Sequence, residues 1–157
     1  METTKKNFAS LLKNDNRYNS EAYLFVNEAL DYAHDNVVME DRKNNKVTAI
    51  EFLESAKQYA IKEFGFLAKT VLEEWGVKTT GDLGNIVYNL IKYKLWGREA
   101  GNTREEFDDV YNFNEVFNIL PVFSYEVINS ARKKLIVSYI RNSEYVKVLE
   151  ANKELGI

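Results

Sequence analysis

The residues best suited to contacting another molecule cluster in Tyr88-Asn-Leu-Ile-Lys92-Tyr93-Lys94-Leu-Trp96-Gly-Arg98. On a helix, Tyr88, Lys92 and Trp96 fall four apart. They share a face with Asn85 and Asn89, opposite an apolar stripe of Leu83, Val87 and Leu90. Aromatic rings interleaved with Lys and Arg suit two chemistries. Trp, Tyr and Arg are favoured anchors of protein interfaces, and rings beside cations also stack bases and hold phosphates. The competing explanation is that another helix covers Trp96, making the face an ordinary core contact.

Proton transfer has fewer candidates. Glu63 falls inside the apolar stripe of the helix that Thr48 opens, near Ala49, Phe52 and Ala56. A carboxylate desolvated there titrates high and can act as a general acid or base. The plainer reading is a side chain that escapes at the helix end or pairs with a cation. His34, the single histidine, lies at a helix C-terminus, where the helix dipole alone explains an imidazolium. Glu105 and Glu106 suit a first helical turn, and Asp108 and Asp109 follow them without the spacing of a calcium loop. Gly81-Asp-Leu-Gly84 has the bare spacing of a nucleic-acid backbone clamp, yet its central Asp repels phosphate. A helix-turn-helix over residues 66–96 is a further reading, weakened because its second helix has no basic residue before Lys92.

The sequence contains no Cys, which removes disulfides, thiolate catalysis and sulfur-bound zinc. No phosphate-binding loop or nucleophile elbow is present, so an enzyme would have to use carboxylates, Tyr, Lys and hydroxyls. We therefore assign no catalytic residue, no cofactor and no metal site from the sequence.

Helices must position these groups. Asn19 or Ser20 caps one that runs to about His34, and Asp35–Lys46 reads as an exposed loop with a small hairpin through Val37–Met39. Thr48-Ala-Ile-Glu51 is a capping box that opens a helix to about Phe64. Gly65 marks an end or a bend, and Gly76 suits the left-handed residue that closes the next helix. Thr79–Asp82 is a second box, predicting a helix to about Trp96. Thr103–Glu106 is a third, opening a short helix that includes Phe107 and Val110. Phe113–Leu120 forms another, stopped by Pro121. The tail favours helices from about Ser124 and from Ser143, although Leu135–Ile140 and Tyr145–Glu150 also fit a β-hairpin. The motif Phe25-x-x-x-Ala29-x-x-Tyr32-Ala33 is echoed by Phe52-x-x-x-Ala56-x-x-Tyr59-Ala60, as expected of two helices with equivalent neighbours.

At 157 residues with 45% hydrophobic and 29% charged content, the chain is the size of one folded domain. A net charge of −3 lacks the basic excess of a dedicated nucleic-acid protein. No window approaches the roughly 18 apolar residues of a membrane span, so a soluble cytoplasmic protein is expected.

Several stretches resemble a small family of uncharacterised bacterial proteins. They are Glu21–Val26 with Ala29-Leu30, then Phe64-Gly65-x-x-Ala68-x-x-Val71-Leu72-x-x-Trp75-Gly76, then Asp82–Leu90, and finally Phe107-x-Asp109-Val110-Tyr111-x-Phe113. The resemblance covers about residues 16–118, leaves an extension over about 121–157, and implies a shared fold with no assigned activity. The expected architecture is a mainly α, single-domain multi-helix bundle. Its expected role is a non-catalytic protein-interaction module, binding a protein partner or itself through Tyr88, Lys92, Tyr93, Trp96 and Arg98. RNA or DNA binding, with Arg132, Lys133 and Lys134 added, is the alternative, and an enzyme built around Glu63 is the third.

Overall fold

The computed structural model describes residues 2–37, 46–97, 103–119 and 129–135. They form a bundle of helices, with no strand among the described residues. In chain order these are α1 (Glu2–Asn14), α2 (Ser20–Asn36), α3 (Ala49–Phe64), α4 (Ala68–Glu74), α5 (Thr80–Lys92) and the single turn α6 (Phe113–Val116). Two 3₁₀ turns, Gly65–Leu67 and Arg104–Phe107, complete the named elements, and residues 129–135 are also helical. Val37 caps α2 and Leu135 is helical, while the rest of the hairpins considered at Val37–Met39 and in the tail, and the helix from Ser143, lie outside the described residues.

The helix starts follow side-chain chemistry. The Asn19 carboxamide accepts from Glu21 N, Thr48 and Thr79 each complete a capping box, and at Thr103 the Glu106 carboxylate accepts from Thr103 N at 2.9 Å. Four elements differ from expectation. α1 carries no sequence-level start signal, yet it is thirteen residues long and buries Leu11 completely. The Thr103 box opens one 3₁₀ turn, and the helix at Phe113 is only four residues long. α5 stops at Lys92, four residues short of Trp96.

That early stop has a local cause. Lys94 adopts φ 59°, Lys94 N donates to Ile91 O at 3.0 Å, and Leu95 N donates to Leu90 O at 2.8 Å. This is a Schellman closure with lysine where glycine is usual. The end of α4 has the same geometry. Gly76 sits at φ 91°, Gly76 N donates to Glu73 O at 2.9 Å and Val77 N to Leu72 O at 2.8 Å.

The repeated Phe-Ala-Tyr-Ala motif belongs to α2 and α3, which make the most extensive interhelical contact. Ala29, Ala33, Ala56 and Ala60 are buried, so the two backbones approach closely. They run antiparallel, with Phe25 beside Phe64 and Tyr32 beside Tyr59. Trp75 closes the far end against Phe25 and Phe64, with ring centroids 6.1 and 5.8 Å away. α5 adds Leu83, Ile86, Val87 and Leu90 to the same core. Each large side chain fully buried there contributes about 1.5–3 kcal/mol.

Two glycine positions are demanded by close approach. A Cβ on Gly76 would lie 2.2 Å from Arg17 O, because the 15–19 loop crosses the Trp75–Gly76 turn and Asn19 N donates to Trp75 O at 3.0 Å. A Cβ on Gly84 would lie 2.6 Å from Phe107 Cβ. Gly81 and Gly84 are therefore the shallow face of α5 on which the Arg104–Phe107 turn rests, within a helix and not in a backbone-clamping loop.

Gly76→Ala combines a left-handed conformation with a backbone collision and should cost about 3 kcal/mol or more in urea unfolding. Gly97→Ala has nothing within 4 Å of the added carbon and should stay within about 0.5 kcal/mol. Lys94→Gly removes a left-handed side-chain penalty and should be neutral or stabilising by up to about 1 kcal/mol.

Candidate functional site: a groove beside Trp96

The polar face of α5 is largely consumed inside the fold. Asp82, Asn85 and Asn89 occur at i, i+3 and i+7, and all three turn toward the segment joining α1 to α2. The Tyr18 hydroxyl donates to Asp82 Oδ1 at 2.6 Å and accepts from Asn85 Nδ2 at 2.9 Å. Asn85 Oδ1 accepts from Arg104 Nε at 2.6 Å, and Arg104 also holds Asp108 at 2.7 Å. Asn89 Nδ2 donates to Asp15 Oδ2 at 2.9 Å and to the Tyr23 hydroxyl at 3.1 Å. Asp15 and Arg17 form a bidentate pair at 2.9 and 2.6 Å.

These contacts shift titrations. Hydrogen bonding from Arg17 holds the Asp15 carboxyl well below the usual carboxylate range, against the opposing effect of burial. Burial, reinforced by Asp82, pushes the Tyr18 hydroxyl up to about 12.

The five residues of the aromatic–basic patch do not form one surface. Tyr88 is half-buried, edge-on to Phe107 at 6.3 Å. Tyr93 is half-buried, and its hydroxyl accepts from Asn14 Nδ2 at 3.0 Å. Lys92 is exposed, with its ammonium 5.9 Å from the Tyr93 ring. Arg98 lies outside the described residues. Trp96 is half-buried and stands on the capping turn instead of on α5 itself. Trp96 N is tied to Leu90 O at 3.0 Å, and Nε1 donates to Asn27 Oδ1 on α2 at 2.8 Å.

That placement makes Trp96 a partition between two spaces. On the inner side it borders a small apolar cavity of about 40 Å³ with Tyr88, Phe52 and Phe107. On the outer side it walls a groove of about 300 Å³ between α1, α2 and the end of α5. Phe8, Leu24, Leu90 and Leu95 supply the apolar lining, and Thr4, Lys5 and Asn27 are polar members of it. Leu24 is 42% exposed and, with Ile50, is one of two large hydrophobics left so open among the described residues. The sequence reading missed Phe8 and Leu24. A helix start at Glu2 would have placed Phe8, but no capping residue announces it.

The remaining candidates are accounted for locally. Glu63 is half-buried and accepts from Ser130 Oγ at 3.4 Å. His34 is exposed at the end of α2. Asp108 is paired with Arg104, and Asp109 forms a turn at φ 50°. One cluster has no linear signal. The Tyr59 hydroxyl donates to Glu28, whose other oxygen lies 3.7 Å from Lys134 Nζ. Burial first, then Glu28, holds the Tyr59 proton well above the ordinary tyrosine range.

Two predictions test the polar seam. Tyr18→Phe removes both hydroxyl bonds and leaves Asp82 and Asn85 short of a partner, costing about 1–3 kcal/mol by urea unfolding. The lowered Asp15 titration means its stabilisation is fully present above the unfolded carboxyl value of about 4. It is lost as pH falls through the folded value. Asp15→Asn should therefore flatten the acid side of the stability profile and leave its shape above pH about 6 unchanged.

No family model, curated protein or solved structure matches the chain.

Proposed function

We propose that the chain is a non-catalytic cytoplasmic module that binds another protein, taking an apolar side chain of that partner into the groove beside Trp96. The observation that carries this reading is the juxtaposition of Trp96 with a 42% exposed Leu24 in a groove that Phe8, Leu90 and Leu95 also line. An apolar groove between helices, with an aromatic wall and a polar rim, suits an inserted side chain from a helix or extended segment. No helix of the described residues is long and apolar enough to cross a membrane. The fold we propose is shared with the bacterial family that the Phe64–Gly76 run resembles.

The second reading is nucleic-acid binding, favoured by exposed Lys92 and Lys94 beside Tyr93. Its other cations sit elsewhere. Lys134 pairs with Glu28 on α2, whereas Lys92 ends α5 and Lys94 follows it. The enzyme reading has weaker support: Glu63 accepts from the Ser130 hydroxyl and adds to the upward shift of Tyr59 behind burial and Glu28.

The test is capture of partners on the tagged chain, with and without nuclease, using wild type, Leu24→Asp and Trp96→Ala. Leu24→Asp should leave stability within about 1 kcal/mol and cut recovery of a nuclease-resistant protein by about tenfold or more. Trp96→Ala should also lose the partner, with some stability lost through its Asn27 bond and packing. Recovery of the same protein undiminished by Leu24→Asp contradicts the groove as the site. Recovery of nucleic acid alone favours the second reading.

A further inference from the structure

We infer that the groove selects an acidic amphipathic segment, whose apolar side chain enters between Leu24 and Trp96 while flanking carboxylates meet Lys5, Lys92 and Lys94. This rests on the interaction reading and specifies the chemistry of the partner. Lys5 lines the groove, Lys92 ends α5, and Lys94 stands on the turn that carries Leu95 and Trp96 into the groove wall. All three are exposed, and none has an ion pair among the described residues. By contrast, Lys57, Lys69 and Lys134 are matched with Glu54, Glu73 and Glu28.

Among the described residues no carboxylate lines the groove. Glu28, next to Asn27 in sequence, is turned away to Tyr59 and Lys134, and Asp15 is clamped by Arg17. A chain of net charge −3 thus carries unneutralised cations beside its apolar groove. Such complementarity sets partner choice and encounter rate more than raw affinity. A base-stacking platform is the poorer fit. The Trp96 indole is half-buried, fixed to Asn27, and backed by the inner cavity, whereas stacking needs an open ring face along a cationic track.

The experiment titrates the full chain with three probes and follows tryptophan emission. Trp75 is 1% exposed, so a change reports Trp96. The probes are a synthetic amphipathic peptide with Leu anchors flanked by Glu, the same peptide with Lys in place of Glu, and a single-stranded oligonucleotide. The Glu peptide should shift emission to the blue and bind about tenfold or more tightly than the Lys peptide. The difference should shrink with added salt, and both Lys5→Glu and the milder Lys5→Gln should reduce it. Equal affinities, a preference for the Lys peptide, or binding of neither overturns the charge inference. If both peptides bind equally and Leu24→Asp abolishes both, the interaction reading survives that failure. Oligonucleotide binding alone overturns both readings. A blue shift that grows with protein concentration before any probe is added identifies a second copy as the occupant and also overturns the inference.

Discussion

The hydroxyl of Tyr18, held between Asp82 and Asn85, is the contact on which the arrangement of the bundle turns. Asp82 already accepts from Lys78 N and Thr79 N at the start of α5. The same carboxylate therefore caps the helix and receives the tyrosine. This couples the start of α5 to the 15–19 loop, which in turn crosses the Trp75–Gly76 turn at a distance no side chain could share. A helix end, a helix start and a connecting loop thus meet within a few residues. The seam is polar and largely satisfied, so it specifies register at modest net energy, while the Phe25–Phe64–Trp75 cluster supplies the larger apolar term.

One consequence is that α5 has little polar surface to offer a partner. Asn85 and Asn89 are committed to Tyr18, Arg104, Asp15 and Tyr23. What reaches outward is the turn after the helix. There the Lys94 closure throws Trp96 toward α2 and leaves the groove beside it. The inner cavity and outer groove share that indole as a wall, so Trp96 serves packing and presentation together.

Much of the bundle was legible in the sequence because its boundaries are written in side-chain hydrogen bonds. Asn19, Thr48 and Thr79 cap where expected, Glu106 closes on Thr103 N at the third threonine, and Gly76 takes the left-handed position that its type suggests. The end of α5 was not legible. Lys94 adopts the conformation for which glycine is the usual cue, and Gly97, three residues on, is the misleading signal. That single displacement moved Trp96 off the helix and dissolved the face predicted for it. Helix α1 was equally silent, since its start has no capping residue and its burial depends on Leu11 meeting distant helices. The groove needed both missing facts, and for that reason its residues were only half found. The Tyr59–Glu28–Lys134 cluster joins residues with no linear spacing to reveal it.

The most direct test of the central claim is an amide hydrogen-exchange footprint of the full chain, free and in its captured complex. Protection on binding is predicted over residues 4–8, 24–27 and 90–96, with the Asp15–Tyr18 seam unchanged. Protection confined to the cleft between Lys69 and Glu115, or to residues 129–135, with the groove amides unaltered, would contradict it.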